Sequence, residues 1–130
     1  MTPRRSIPLL LVLGIAPASL AGCDQSQKYA DASAMTGGGD PDRGRDAIRT
    51  KGCATCHTIP GIHGADALVG PPLDRIGSRT YVAGVFCKTP ENLMRWLRDP
   101  PGVDDKTAMP NLKLSESEVK DIASYLYTLR

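Results

Sequence analysis

Two cysteines three positions apart, followed at once by a histidine, constrain this chain more than any other feature: Cys53-Ala54-Thr55-Cys56-His57. One helical turn brings both sulfurs to the same edge and sets the next imidazole beside them. That order suits the addition of two thiols to the two vinyl groups of one porphyrin while the imidazole reaches its iron, the attachment chemistry of haem c. A zinc site would need four ligands, typically with a second Cys/His pair at similar spacing, and only the scattered His63 and Cys87 remain. A redox dithiol would need a preceding strand and a βαβ pattern, and neither is visible.

Residues 1–22 read as an export leader, with Arg4 and Arg5 ahead of an almost wholly apolar run over residues 7–20. Pro8, Gly14 and Pro17 interrupt that run, which falls short of the roughly 20 residues a spanning helix needs. Leu20-Ala21-Gly22-Cys23 resembles the bacterial lipobox, whose cysteine is acylated and becomes the first residue of the mature protein. That resemblance implies a lipid anchor on Cys23. Asp24 resembles the signal that retains lipoproteins on the inner membrane, so the expected location is the periplasmic side of that membrane. Ordinary cleavage near Ala21 or Gly22, leaving a soluble protein, is the alternative.

Lipid and haem together take three of the four cysteines and leave Cys87, expected as a buried small hydrophobe behind Val85 and Phe86. The chain has 16 basic and 14 acidic residues, and Arg4 and Arg5 lie in the leader, so the remainder is formally neutral. No basic stripe with interleaved aromatics is present, which argues against nucleic acid as a partner. Arg43, Arg45, Arg49 and Lys51 cluster ahead of the motif among Asp42 and Asp46; a solvated helix face is the default reading and docking to an acidic partner the weaker one.

Residues 23–39, rich in Ser, Ala, Gln, Asp and Gly and ending in Gly37-Gly38-Gly39, read as a flexible tether. Such a segment has a typical reach of roughly 20 to 25 Å. Residues 40–130 form one small domain with a single Phe and a single Trp, a thin core that a large flat cofactor would complete. Three helices are expected there. The first has Asp40 as N-cap and Pro41 at N1 and runs toward Lys51. The second opens with Thr89 and Pro90, turns Leu93, Met94, Trp96 and Leu97 inward and stops at Pro100-Pro101. The third opens with a Ser115/Glu118 capping box and carries Val119, Ile122, Ala123, Tyr125, Leu126 and Leu129 in phase. No strand pattern stands out. The fold class is therefore all-α, three main helices with long loops over residues 58–77 and 100–114 wrapped around one covalent haem. Of four methionines, Met1 leaves with the leader, Met35 lies in the tether and Met94 has core spacing. Met109, in a loop bounded by Pro110, is the expected sixth ligand, with His63 a poorly placed competitor.

From Gly44 to Arg130 the order of helix, haem motif, Gly70-Pro71, Trp-bearing helix, Met-Pro loop and Tyr-Leu helix resembles a class I cytochrome c. Gly77-Ser78-Arg79, Thr89-Pro90-Glu91-Asn92-Leu93, Trp96-Leu97-Arg98-Asp99-Pro100 and Met109-Pro110 are similar, more closely, to the cytochrome c domain fused to subunit II of some bacterial haem-copper oxidases. The resemblance implies thioethers at Cys53 and Cys56 and an iron bond from His57. It also implies a Pro71 carbonyl holding that imidazole, Arg79 and Trp96 near a propionate, and a Gly44/Tyr125 contact between terminal helices. Where those oxidase subunits carry a copper-binding domain and a transmembrane hairpin ahead of the haem domain, a lipid anchor is expected here in their place. The expected function is a tethered one-electron carrier rather than an enzyme, serving a quinol-oxidising complex, a dehydrogenase or a terminal oxidase. The rivals are a peroxidase-like haem enzyme or gas sensor with a labile sixth ligand, and a fixed subunit of an oxidase or dehydrogenase complex.

Overall fold

The computed structural model describes residues 21–130; residues 1–20 of the segment read as an export leader, with the Arg4-Arg5 pair, lie outside the described residues. Five helices follow in order, α1 (Ala21–Met35), α2 (Pro41–Thr50), α3 (Pro90–Arg98), α4 (Pro100–Val103) and α5 (Glu116–Thr128). Short 3-10 turns at Cys53–Thr55 and Ile76–Ser78 and a two-stranded hairpin, β1 (Tyr81–Val82) and β2 (Phe86–Cys87), lie between α2 and α3. The all-α expectation holds, with that small hairpin as an addition.

Helix α5 is the centre, and α1, α2 and α3 all pack against it. Its start is set by the expected reciprocal cap: Glu118 N–H donates to Ser115 Oγ at 3.3 Å and Ser115 N–H to Glu118 Oε2 at 2.9 Å. Val119, Ile122, Ala123, Tyr125, Leu126 and Tyr127 are all buried, so this helix faces protein on nearly every side. Asp40 caps α2 by accepting from the N–H groups of Asp42 and Arg43, and Thr89 caps α3 through Asn92 N–H. Both helices carry proline at their first position as expected. Pro100 ends α3 but also opens the single turn of α4, whose missing N–H costs nothing there.

Where α2 crosses α5, a methyl group on Gly44 would collide with the Asp121 carbonyl oxygen and lie 3.0 Å from Ile122 N. The predicted glycine contact is therefore real, but it falls one turn before Tyr125. Tyr125 instead donates its hydroxyl to the Pro60 carbonyl at 2.7 Å and pins the loop that follows the haem motif. Beside the crossing, Asp121 accepts from Asp40 N–H at 2.7 Å and from Arg43 Nε and Nη2 at 2.8 and 3.0 Å. Burial raises the pKa of that carboxyl, but the hydrogen bonds from Arg43 and Asp40 and the Arg43 charge outweigh it, and the net shift is downward.

Three expectations are corrected. The segment read as a flexible tether is largely helix α1, because Ala30, Ala32, Ala34, Gln25, Gln27 and Lys28 are strong helix formers. Ala32 and Thr36 are fully buried, with Tyr29 half-buried in the same stripe. The glycine run is the helix stop: Gly37 sits at φ 67 and Gly38 N–H returns to the Ser33 carbonyl at 2.9 Å. Second, the hairpin pairs Tyr81 with Cys87 and Val82 with Phe86 around Ala83 and Gly84, both at positive φ. Two-residue strands are too short to show alternation. Third, Cys87 is exposed. Alternation along β2 turns Phe86 toward the buried Val82 and leaves Cys87 outward beside the exposed Tyr81.

On helix propensity alone, Gly44→Ala should stabilise α2 by about 1 kcal/mol. The close crossing reverses the sign. Gly44→Ala is expected to lower the unfolding free energy of the purified protein by about 2 kcal/mol, measured by urea denaturation; a neutral or stabilising result would contradict helix contact at this position.

Candidate cofactor site

Helix α2 ends at Thr50, and Gly52, left-handed at φ 79, swings the chain into the turn that carries the two cysteines. Within it Cys56 N–H and His57 N–H both return to the Cys53 carbonyl, at 3.3 and 3.0 Å. The histidine is thereby fixed one turn beyond the first thiol. Burial pushes the Cys53 thiol pKa up, and the neighbouring Cys56 adds to the shift against a backbone hydrogen bond that lowers it.

The following loop is long but not loose. Gly70 N–H donates to the Cys56 carbonyl at 2.7 Å, Leu73 N–H to Thr58 O at 2.8 Å, and Thr58 Oγ1 to Ala67 O at 2.9 Å. These bonds bring Pro71 over the histidine, and His57 Nδ1 lies 2.7 Å from the Pro71 carbonyl oxygen. A carbonyl only accepts, so Nδ1 carries the proton and Nε2 keeps its lone pair for a metal. Gly70 supplies the room: a methyl group there would come within 2.7 Å of Nδ1 and 3.0 Å of Nε2.

Cys53, Cys56, His57, Pro71, Arg79, Trp96 and Met109 all line one cavity of about 600 Å³. Its walls are completed by Ile48, Leu93, Leu97, Ile122 and Leu126, so it opens directly into the core. Arg79 reaches it from beyond the 3-10 turn and donates through Nη2 to the carbonyls of Pro72 and Asp74, tying the cavity wall to the loop behind His57. Met109 comes from the loop after α4, where Asp104 Oδ1 accepts from Lys106 N–H at 3.0 Å and Thr107 Oγ1 from Met109 N–H at 3.2 Å. His63, the poorly placed competitor, is exposed and does not line the cavity. Met94 packs against the core instead, and Met35 stands exposed at the end of α1 beside Arg130.

The residues fit haem c. A largely apolar cavity of this size holds one porphyrin-sized ligand, and it combines two thiols at one edge, an imidazole with an uncommitted nitrogen, a thioether and a cation. Sequence reasoning missed the space-making role of Gly70, the Thr107 brace and the hairpin wall formed by Tyr81, Val82, Ala83 and Gly84. The Ala83-Gly84 pair was the one available signal for that hairpin. Gly70→Ala should push the imidazole off the Pro71 carbonyl. Covalent haem incorporation in an export-competent host is expected to fall by roughly tenfold, as for other losses of a bond that orients a metal-binding histidine; wild-type incorporation would show that the ring does not need this space.

Residues 41–130 match the cytochrome c family. The chain is 35% identical over 92 residues to "Cytochrome c oxidase subunit 2" of Bacillus subtilis (strain 168), covering 68% of this chain and 26% of that protein. It is 30% identical over 90 residues to the protein of the same name from Alkalihalophilus pseudofirmus, covering 68% of this chain and 25% of that protein. For the counterpart in Bacillus sp. (strain PS3) the figure is 32% over 89 residues, covering 65% and 25%. The chain thus spans about a quarter of the length of these curated relatives. With the family matched over all of α2 to α5 and the cavity built from the residues its motif requires, this chain belongs to the cytochrome c family.

Proposed function

We propose that this protein is a mono-haem electron carrier held at the periplasmic face of the inner membrane by a lipid on Cys23, passing single electrons between respiratory complexes. The observation that carries the reading is the 2.7 Å contact between His57 Nδ1 and the Pro71 carbonyl, which reserves Nε2 for iron inside the cavity that Met109 also lines. When bound, haem c supplies a one-electron Fe(II)/Fe(III) couple whose potential a histidine–methionine pair raises. Cys53 and Cys56 would hold it through thioethers, and His57 and Met109 would bind its iron. Arg79 and Trp96 would flank a propionate. The chain's own work is to orient the imidazole, brace the methionine loop and keep water from the cavity with Leu93, Leu97, Ile122 and Leu126.

A filled sixth position separates a carrier from a haem enzyme or gas sensor. Met109→Ala is expected to abolish the weak long-wavelength sulfur-to-iron band of the oxidised protein, lower its potential and admit carbon monoxide to the reduced form. Wild-type protein should bind carbon monoxide poorly; rapid binding would favour the enzyme or sensor.

Among the described residues no helix is long and apolar enough to cross a membrane; in this reading attachment is through the lipid. Cys23 falls in the first turn of α1, so the anchor would act through a helix packed on α5 and not through a slack leash. Similarity to cytochrome c oxidase subunit 2 supports a second reading, a subunit fixed in a terminal oxidase complex. Cys23→Ala distinguishes the two. Release into the soluble periplasmic fraction with an unchanged spectrum is expected; retention on the membrane would mean that protein contacts hold it there.

A further inference from the structure

The cavity has an unusual rim. Thr55, Val69, Pro71, Tyr81, Ala108 and Pro110 line it and are exposed, and not one of them is charged; the charged lining residues, Arg79 and Asp104, are half-buried. Val69 is 78% exposed and its neighbour Leu68 80%. Leu68 does not line the cavity, so a bound cofactor would not account for its exposure. From His57 to Leu73 the sole formally charged residue is Asp66.

The obvious alternative, an electrostatic docking face, is spent elsewhere. On α2, Arg43 pairs with Asp40 and Asp121, Arg45 with Asp42 at 3.3 Å and Arg49 with Asp46 at 3.6 Å, while Lys51 reaches Glu118 at 3.0 Å. Those cations answer carboxylates of their own chain. With Arg79 tied to loop carbonyls and only Asp104 besides it charged in the lining, long-range steering has little to act on, and two protruding aliphatic side chains gain most when another apolar surface removes them from water.

We propose that the cavity mouth, centred on Leu68 and Val69, is the docking face for a redox protein whose own electron-exchanging surface is apolar and uncharged. The inference rests on the electron-carrier reading and adds the chemistry of the partner. Complementarity supports this occupant: an acidic or basic partner would bury its charges against Leu68, Val69, Pro71 and Pro110 without receiving a counter-charge, at a desolvation cost nothing here offsets.

Electron self-exchange between reduced and oxidised copies of the haem-loaded Cys23→Ala protein tests this, since the protein's own mouth is a surface of the required kind. One copy loses the electron that the other gains, and line broadening in nuclear magnetic resonance spectra of the mixture gives the rate. The wild-type mouth should show less than about a twofold change in rate between about 20 and 500 mM salt. Leu68→Lys and Leu68→Glu should each slow exchange by about tenfold at low salt and recover as salt rises, and a mixture of the two should exchange faster than either alone. A strongly salt-dependent wild type, or Leu68 variants that exchange like wild type, would overturn the proposal. So would binding to phosphatidylethanolamine–phosphatidylglycerol vesicles that Leu68→Glu abolishes, which would assign the patch to a lipid surface. Reduction by ascorbate is the separate control: a haem-loaded protein that fails to take up one electron reversibly refutes the carrier reading itself, whereas normal reduction with the wrong exchange behaviour refutes only the docking face.

Discussion

The contact of α2 with α5 at Gly44 sets the geometry of everything that follows it. With no side chain at that position the two backbones meet, and Asp121 clamps the junction by accepting from both Asp40 N–H and the Arg43 guanidinium. The far end of α2 is then delivered against the middle of α5, where Ile48 faces the same cavity as Ile122 and Leu126. Cys53 follows two residues after the helix cap, so the position of the first thiol is a consequence of how closely two helices approach some nine residues earlier.

A second constraint is that the core is incomplete as polypeptide. Leu93, Leu97, Ile122 and Leu126 belong at once to the buried core and to the cavity wall. Apolar side chains that face a space of about 600 Å³ forgo dispersion contacts on that side. A flat apolar group of matching size would restore them, so cofactor binding would also consolidate the fold. The polar fittings sit at the edges of that space: the imidazole fixed by Pro71, the Arg79 guanidinium on its loop carbonyls and the Thr107 brace beneath Met109.

The legible part of the sequence was whatever chemistry lies within a few residues. The Asp40, Thr89 and Ser115 caps, the prolines beside the first two and the motif from Cys53 to His57 are local signals, and each stands where it was expected. Contacts across the chain were less legible. The resemblance paired Tyr125 with Gly44 at the helix crossing, but the tyrosine hydroxyl reaches beyond that crossing to Pro60. Cys87 was judged by its apolar neighbours, whereas strand alternation decided its exposure. Residues 24–39 were judged by composition. Alanine and glutamine are common in linkers and are also good helix formers, and the inward stripe of Tyr29, Ala32 and Thr36 is too small and polar to register as amphipathic.

That last difference alters the physics of any anchor at Cys23. A flexible chain of this length would let the domain sample many orientations within roughly 20 to 25 Å of its attachment point, with an effective concentration set by that volume. A helix rising about 1.5 Å per residue and stacked on α5 instead fixes one end of the domain relative to the attachment. Were Cys23 acylated, rotational freedom would reside in the lipid and the first turn of α1, and the mouth around Leu68 would be presented at a restricted set of angles to the membrane plane. Restriction of that kind lowers the orientational penalty of docking for a partner whose own face is held in the same plane, and raises it for one that is not. With little charge at the mouth to steer an encounter, orientation supplied by the anchor becomes the main means by which this domain could favour one membrane partner over another.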